Sequence, residues 1–238
     1  MRDWVLTSSI VRDSPYWTDI WPVTEPIFAA YAAKWGMAWE PHIVPRDDPS
    51  LTFFDTSPAP RGTGVVAAGI PGRRGMLDRF KGVVFLDADA VVMDFAYDLC
   101  REVSDNVPLA AAGNFNGAVV VSRSCDRTRE FFDLVWEGRE EWRHAQWLEQ
   151  KAMMELVGFD GRYPGDNTPA DYLGDTEWTK WWCQLSGRWN ASPFHPQEVA
   201  PLIFHPGGVQ PFEKRATMVR DAAVGLLPPG WGNYLPRI

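Results

Sequence analysis

No apolar run in the chain approaches the roughly 20 uncharged residues that a membrane-spanning helix needs, so no segment reads as a membrane anchor. Cysteine is scarce. Cys100, Cys125 and Cys183 are odd in number and form no CxxC pair, which argues against a disulfide framework or a zinc site and for free thiols in a reducing compartment. Basic residues are in deficit, 23 Lys and Arg against 31 Asp and Glu, for a net charge of −8. Such a surface repels polyanions and excludes a general nucleic-acid coat, while leaving room for a small anion held locally. The start, Met1-Arg2-Asp3, runs directly into Trp4-Val5-Leu6 without a hydrophobic leader or small-residue cleavage site, which predicts a cytoplasmic protein. With no internal repeat, low-complexity tract or linker, the 238 residues are expected to form a single domain, 1–238. What the chain has in excess is tryptophan, 13 residues, suited to a core or to stacking on the apolar faces of sugar rings.

Strand and helix patterns alternate through the first half. Trp4 to Ile10 reads as a buried strand with a hydroxyl-rich end, Thr7-Ser8-Ser9. A helix is expected over Ile27 to Trp35, with Pro26 in its first turn and Gly36 after its end, then a strand over Trp39 to Val44. Pro45 to Gly75 reads as a long loop, and Gly75 to Phe80 as a short helix. Apolar strands follow at Val83 to Leu86, Ala90 to Met93, Leu109 to Ala112 and Gly117 to Val121, then helices near Arg127 to Glu137 and His144 to Val157. The last third is rich in Pro, Gly and Trp, with one apolar run ending at Phe204. This order predicts an α/β fold, a Rossmann-like central mixed sheet flanked by helices with one irregular edge.

The strongest chemical signal is Asp87-Ala88-Asp89, two carboxylates closing an otherwise apolar strand. In an extended segment both project to one side, where hard oxygen ligands can share a divalent cation with substrate phosphates. Ligands of open α/β sheets lie at that end of the strands; the competing reading is a surface turn that caps backbone amides. His205 ends its own apolar run, ahead of Gly207 and Gly208, and can supply a nitrogen ligand on the same sheet edge. Asn114-Phe115-Asn116-Gly117 opens another strand, where the amides can meet hydroxyls and Gly117 allows close approach, unless the segment is an ordinary tight turn. Glu149 aligns with Ala145, Ala152, Met153 and Leu156, and Gln150 with Trp147, Met153, Met154 and Val157, so a polar pair borders an apolar helix face. A substrate cleft or a salt bridge would satisfy it. Against the acidic whole, Arg61, Arg73, Arg74, Arg79 and Lys81 with Asp78 give a local charge of +4, and Lys214, Arg215 and Arg220 follow His205. Either run can neutralise a diphosphate or coat a solvated helix.

Taken in order, the runs around Asp87-Ala88-Asp89, Asn116-Gly117, Glu149-Gln150, Trp189-Asn190 and His205-Pro206-Gly207-Gly208 resemble GT-A glycosyltransferases, most of all their galactosyl/mannosyltransferase and glycogenin-like groups. The resemblance spans about Trp4 to Met218. It implies that Asp87, Asp89 and His205 hold Mn²⁺ or Mg²⁺ carrying the diphosphate of a nucleotide sugar, a UDP-sugar or GDP-mannose. It further implies Thr7, Ser8, Ser9, Arg74, Arg79 and Asp87 near the nucleotide and Lys214 on phosphate. Asn114, Asn116, Gly117, Gly207 and Gly208 would line the donor sugar, with Glu149, Gln150 and Asn116 at the reacting carbon. The Lys after the histidine motif comes later than is usual, and the basic residue before the aspartates is Arg73, Arg74 or Arg79 instead of Lys. The implied reaction is hexose transfer, with retention, to a saccharide, a protein or a modified nucleic-acid base. A sugar-nucleotide nucleotidyltransferase is disfavoured because Thr7-Ser8-Ser9-Ile10 lacks the glycine-rich phosphate loop. A non-catalytic sugar-binding protein would use Trp178, Trp181 and Trp182 as its recognition surface, whereas Trp4, Trp35 and Trp136 are expected in the core.

Overall fold

The computed structural model describes residues 2–54, 68–112, 116–145, 148–161, 171–193, 201–207, 209 and 211–226. Its centre is a six-stranded mixed sheet in the order β3-β1-β5-β8-β7-β9. The strands are β1 (Arg2–Thr7), β3 (Ala38–Trp39), β5 (Phe80–Leu86), β7 (Leu109–Ala112), β8 (Asn116–Arg123) and β9 (Trp182–Leu185). β1 runs parallel to both β3 and β5, β8 is antiparallel to β5 and β7, and β9 returns parallel to β7.

Val83 to Leu86 shows no polar alternation because both faces of the sheet are covered. Val5, Val83, Phe85 and Val120 face Phe131 and Phe132 of α5 (Asp126–Glu137) and Met153 and Met154 of α7 (Glu149–Leu156). Leu6, Val84, Leu86 and Val121 face Trp21, Phe28 and Tyr31 of α2 (Trp21–Lys34). Two small sheets decorate this core: β2 (Ser9–Val11) with β4 (His42–Val44), and β6 (Val91–Val92) with β10 (Ile203–Phe204). The remaining helices are α1 (Pro15–Asp19), α3 (Pro49–Phe54), α4 (Ile70–Met76), α6 (Arg139–Trp142) and α8 (Phe212–Ala223). Among the described residues no helix is long and apolar enough to cross a membrane.

Several boundaries differ from the sequence pattern. The first strand breaks at Ser8, where β1 leaves the main sheet and β2 joins β4. Helix α2 begins at Trp21, with Pro22 in its first turn and Pro26 inside it, and α4 precedes the expected Gly75 to Phe80. The helix expected from His144 starts only at Glu149. Strand β9 and helix α8 occupy the irregular last third. The tryptophans also redistribute: Trp178 is buried and packs edge-on against Phe131, whereas Trp4, Trp35 and Trp136 are only half-buried.

Trp4 lies across the sheet at Gly82, its register partner on β5. A Cβ at position 82 would stand 2.3 Å from the indole. Gly82→Ala is therefore expected to lower stability by about 1–3 kcal/mol through overpacking. Urea unfolding checks this; an unchanged midpoint would show that the indole swings away freely.

Candidate functional site

The strand directions gather the chemically suggestive motifs at one end of the sheet. β1 and β5 end there at Thr7 and Leu86, and antiparallel β8 begins there at Asn116. Asp87 continues β5, its N–H donating to the Ala118 carbonyl at 2.9 Å, and its own carbonyl accepts from Ala90 N–H at 2.9 Å. The buried Thr24 hydroxyl donates to the Ala88 carbonyl at 2.7 Å, so α2 fixes the Asp-Ala-Asp turn from below. Phe204 pairs with Val91, which brings the next residue, His205, back to the aspartates.

Ligand atoms of Asp87, Asp89 and His205 lie within 4.8 Å of one another. His205 Nε2 is 3.1 Å from Asp89 Oδ1 and 3.5 Å from Asp87 Oδ2. Asp87 Oδ1 is out of contact with water and has no hydrogen-bond partner, an uncompensated buried acceptor that a cation would satisfy. Two carboxylates and an imidazole form a donor set suited to Mn²⁺ or Mg²⁺. Burial, and the neighbouring Asp89 charge, raise the Asp87 pKa to about 6 although His205 and Arg73 pull it down. Burial alone would depress the His205 pKa, but the charge and hydrogen bond of Asp89, with Asp87, lift it above the ordinary value. In both groups a proton occupies the place that a cation would take.

Gly207 is part of this cradle. A Cβ there would stand 2.3 Å from Cε1 of the His205 ring. Gly207→Ala is expected to displace the imidazole and weaken Mn²⁺ binding about tenfold, read by calorimetry, while leaving the distant sheet core unchanged. Equal affinity in the variant would remove His205 from the ligand set.

Of the two basic runs that the sequence offered for a diphosphate, Arg73 and Arg215 reach this end. Arg215 of α8 is buried, with Nη1 3.6 Å from Asp89 Oδ2, Nε donating to the Val209 carbonyl at 3.2 Å, and a hydrogen bond to the Tyr16 hydroxyl. Its neighbour Lys214, assigned to phosphate from sequence, is exposed. Arg73 of α4 is buried with its guanidinium 4.1 Å from the Phe85 ring centroid and within electrostatic reach of Glu149 and Asp87. Arg74 and Arg79 point elsewhere: Arg74 pairs with Asp78 and Asp133, and Arg79 with Glu40. A sequence signal existed for both buried arginines. Arg215 shares a helix face with Val219 and Ala222, and Arg73 shares one with Ile70 and Met76, so each puts a charge on an apolar stripe.

Glu149 is buried at the start of α7, directly after Leu148, whose φ of 45° is a strained value for a non-glycine residue. Burial raises the Glu149 pKa to about 7 against the opposing charge of Arg73, with Asp87 adding to the rise. Gln150 Oε1 accepts from Gly117 N–H at 3.1 Å, tying α7 to the start of β8, and Asn116 Oδ1 accepts from Ala118 N–H at 2.8 Å. Of the hydroxyls, Thr7 donates to the Glu40 carbonyl at 2.7 Å and Ser9 lies 3.4 Å from His42 Nδ1, while Ser8 Oγ is buried without a partner. Asn114 and Gly208 lie outside the described residues.

Neither a family model nor a curated protein matches the sequence. Solved structures do. A glycosyltransferase involved in glycosylation of the major capsid of PBCV-1 superposes with a TM-score of 0.61 at 14% identity, covering 92% of this chain and all of that one. The galactosyltransferase LgtC, solved with donor and acceptor sugar analogs, gives 0.51 at 14% identity, covering 98% of this chain and 100% of that one. The chain thus has the GT-A fold expected from its motifs.

Proposed function

We propose that this chain is a metal-dependent glycosyltransferase that moves a hexose from a nucleoside-diphosphate sugar, a UDP-sugar or GDP-mannose, to an acceptor hydroxyl with retention. The observation that carries the reading is the Asp87, Asp89 and His205 cluster, with its orphaned Asp87 oxygen, beyond the central strands of a GT-A sheet. These three residues hold the ion, and Arg215 and His205 keep the Asp89 carboxylate in place. A bound Mn²⁺ or Mg²⁺ supplies positive charge to the diphosphate oxygens as the sugar–phosphate bond breaks.

The chain's own groups do the rest. Arg73 adds fixed positive charge behind the carboxylates, in surroundings that exclude water and strengthen it. Asn116 borders the hexose at the start of β8, and Gly117 lets α7 close on that strand, a Cβ there standing 3.5 Å from Gln150 Oε1 and Met153 Cε. Gln150 is held at both ends of its amide, Oε1 accepting from Gly117 N–H and Nε2 donating to Met154 Sδ at 3.8 Å, and so fixes α7 against the start of β8. Glu149, when ionised, opposes the positive charge that develops on the anomeric carbon. Ser8 and Ser9 meet the nucleoside, and the buried Ser8 hydroxyl gains a partner there.

The direct test is hydrolysis or transfer of UDP-hexoses and GDP-mannose with Mn²⁺ present or chelated. Activity only with the metal is expected; equal turnover in excess chelator would sink the reading. Mn²⁺ affinity should also fall, approaching about a hundredfold per unit as pH drops well below about 6, where Asp87 holds its proton, His205 is charged and both protons must leave for the ion to bind. Calorimetric titration between pH 5 and 8 reads this, and a flat affinity would contradict it.

A further inference from the structure

A cavity of about 670 Å³ opens at the opposite end of the sheet, within the range of roughly 300–1,000 Å³ typical of small-molecule sites. Its walls include Trp4, Trp35, Asp98, Arg101, Asp105 and Arg123. Trp4, Gly82 and Arg123 occupy one row across β1, β5 and β8. Because Gly82 has no side chain, the Trp4 indole lies flat over the strand, and the Arg123 guanidinium sits 5.2 Å from its centroid. The five residues from Gly82 to Asp87 put this stack about 17 Å of strand away from the metal-ligand cluster.

Two features define what the cavity suits. Its charges cancel in pairs: Arg123 meets Asp105 at 3.0 Å, Arg101 meets Asp98 at 3.3 Å, and the lining Asp3 meets Lys81 at 2.6 Å. No net field remains to select an anion or a cation, yet carboxylates and guanidinium edges offer fixed acceptors and donors. The exposed Asp105 and Arg101 side chains stand at its rim, their outer carboxylate and guanidinium atoms open to a ligand. A planar aromatic and guanidinium surface, neutral overall and rimmed by hydrogen-bonding groups, matches a ligand with apolar ring faces and many hydroxyls.

We propose that this cavity is a second, non-catalytic site that holds a neutral oligosaccharide. It goes beyond the transfer reaction and does not depend on it. A glycan held there is remote from the reacting end of the sheet, so the site tethers a saccharide without exposing it to the chemistry. If the same glycan also carries an acceptor hydroxyl, the tether raises the local concentration of that hydroxyl.

The test titrates the full chain, in chelator, with maltotriose, cellotriose, mannotriose and chitotriose, following calorimetry and tryptophan fluorescence. At least one trisaccharide is expected to bind with a Kd of about 10 mM or tighter. Trp35→Ala should weaken it about fivefold, as for the loss of one ring wall of the cavity. Ser104→Trp, at an exposed lining position, should abolish binding by filling the cavity without disturbing the core. Asp89→Asn, confirmed as folded by its circular dichroism spectrum at the titration temperature, should leave it unchanged. Absence of binding by all four sugars, or affinities in the two cavity variants within twofold of the parent, would overturn the proposal. So would loss of binding in Asp89→Asn, which would move the sugar to the transfer site, or ATP binding in place of every sugar.

Discussion

Asp89→Asn is expected to lower metal-dependent sugar transfer about 10³-fold. The carboxylate is buried and serves two neighbours, His205 at 3.1 Å and Arg215 at 3.6 Å, besides its place in the ligand cluster. Asparagine preserves volume but removes the negative charge that would hold a divalent ion against the departing diphosphate. A loss of about 4 kcal/mol of transition-state stabilisation corresponds to that rate. The same change leaves Arg215 buried without its carboxylate, and breaking such a pair costs about 3 kcal/mol of stability.

Those two effects separate by measurement. Mn²⁺ should raise the melting temperature of the parent, because a ligand that binds only the folded chain stabilises it, and it should not raise that of the variant. The His205 proton gives a second readout. In metal-free parent protein its raised pKa contributes stability that is full below about 6.5 and is lost as pH rises through the folded value. Asparagine removes the charge chiefly responsible, so this part of the pH dependence should shrink. Persistence of both the metal-induced rise and transfer in the variant would show that the ion, if bound at all, sits elsewhere.

How far the sequence carried this site depended on whether each signal was local. Asp87 and Asp89 were legible because a buried strand seldom ends in two acids, and His205 because its apolar run stops at it. Arg215 was not placed on Asp89, because that contact requires α8 to pack against α2 and β6, and nothing near Arg215 in sequence specifies such a docking. The same holds for choosing Arg73 over Arg74 and Arg79. All three are basic residues of one short stretch, and the rotation of α4 decides that Arg73 faces Phe85 while Arg74 meets Asp78 and Asp133. The start of α7 was misjudged because Leu148 adopts a left-handed backbone that its side chain disfavours. Local preference extends the helix back to His144; tertiary contacts begin it at Glu149.

Glu149→Gln should separate stability from activity in opposite directions. The native carboxyl has a pKa of about 7, raised from 4.5 chiefly by burial, so between those values the folded chain keeps a proton that the unfolded chain has released. Stability of the parent, measured in chelator, must therefore fall as pH rises through that window, by about 3 kcal/mol for this group alone. This is the reverse of a salt-bridged acid. Asp87, raised to about 6, adds to the slope in parent and variant alike, so their difference isolates Glu149. Glutamine never ionises, and the variant should gain on the parent up to about pH 7 and hold that lead above it. Transfer should move the other way. Parent kcat should climb with ionisation near pH 7, whereas the variant should lose this limb and about 10²-fold in kcat at pH 8, with KM little altered. Urea midpoints and pH–rate profiles decide the matter, and parallel curves for the two proteins would exclude a titrating Glu149 from the site. A carboxylate that weakens the fold when ionised, next to a buried arginine and behind a strained backbone, is better accounted for by what it does to a substrate than by what it does for packing.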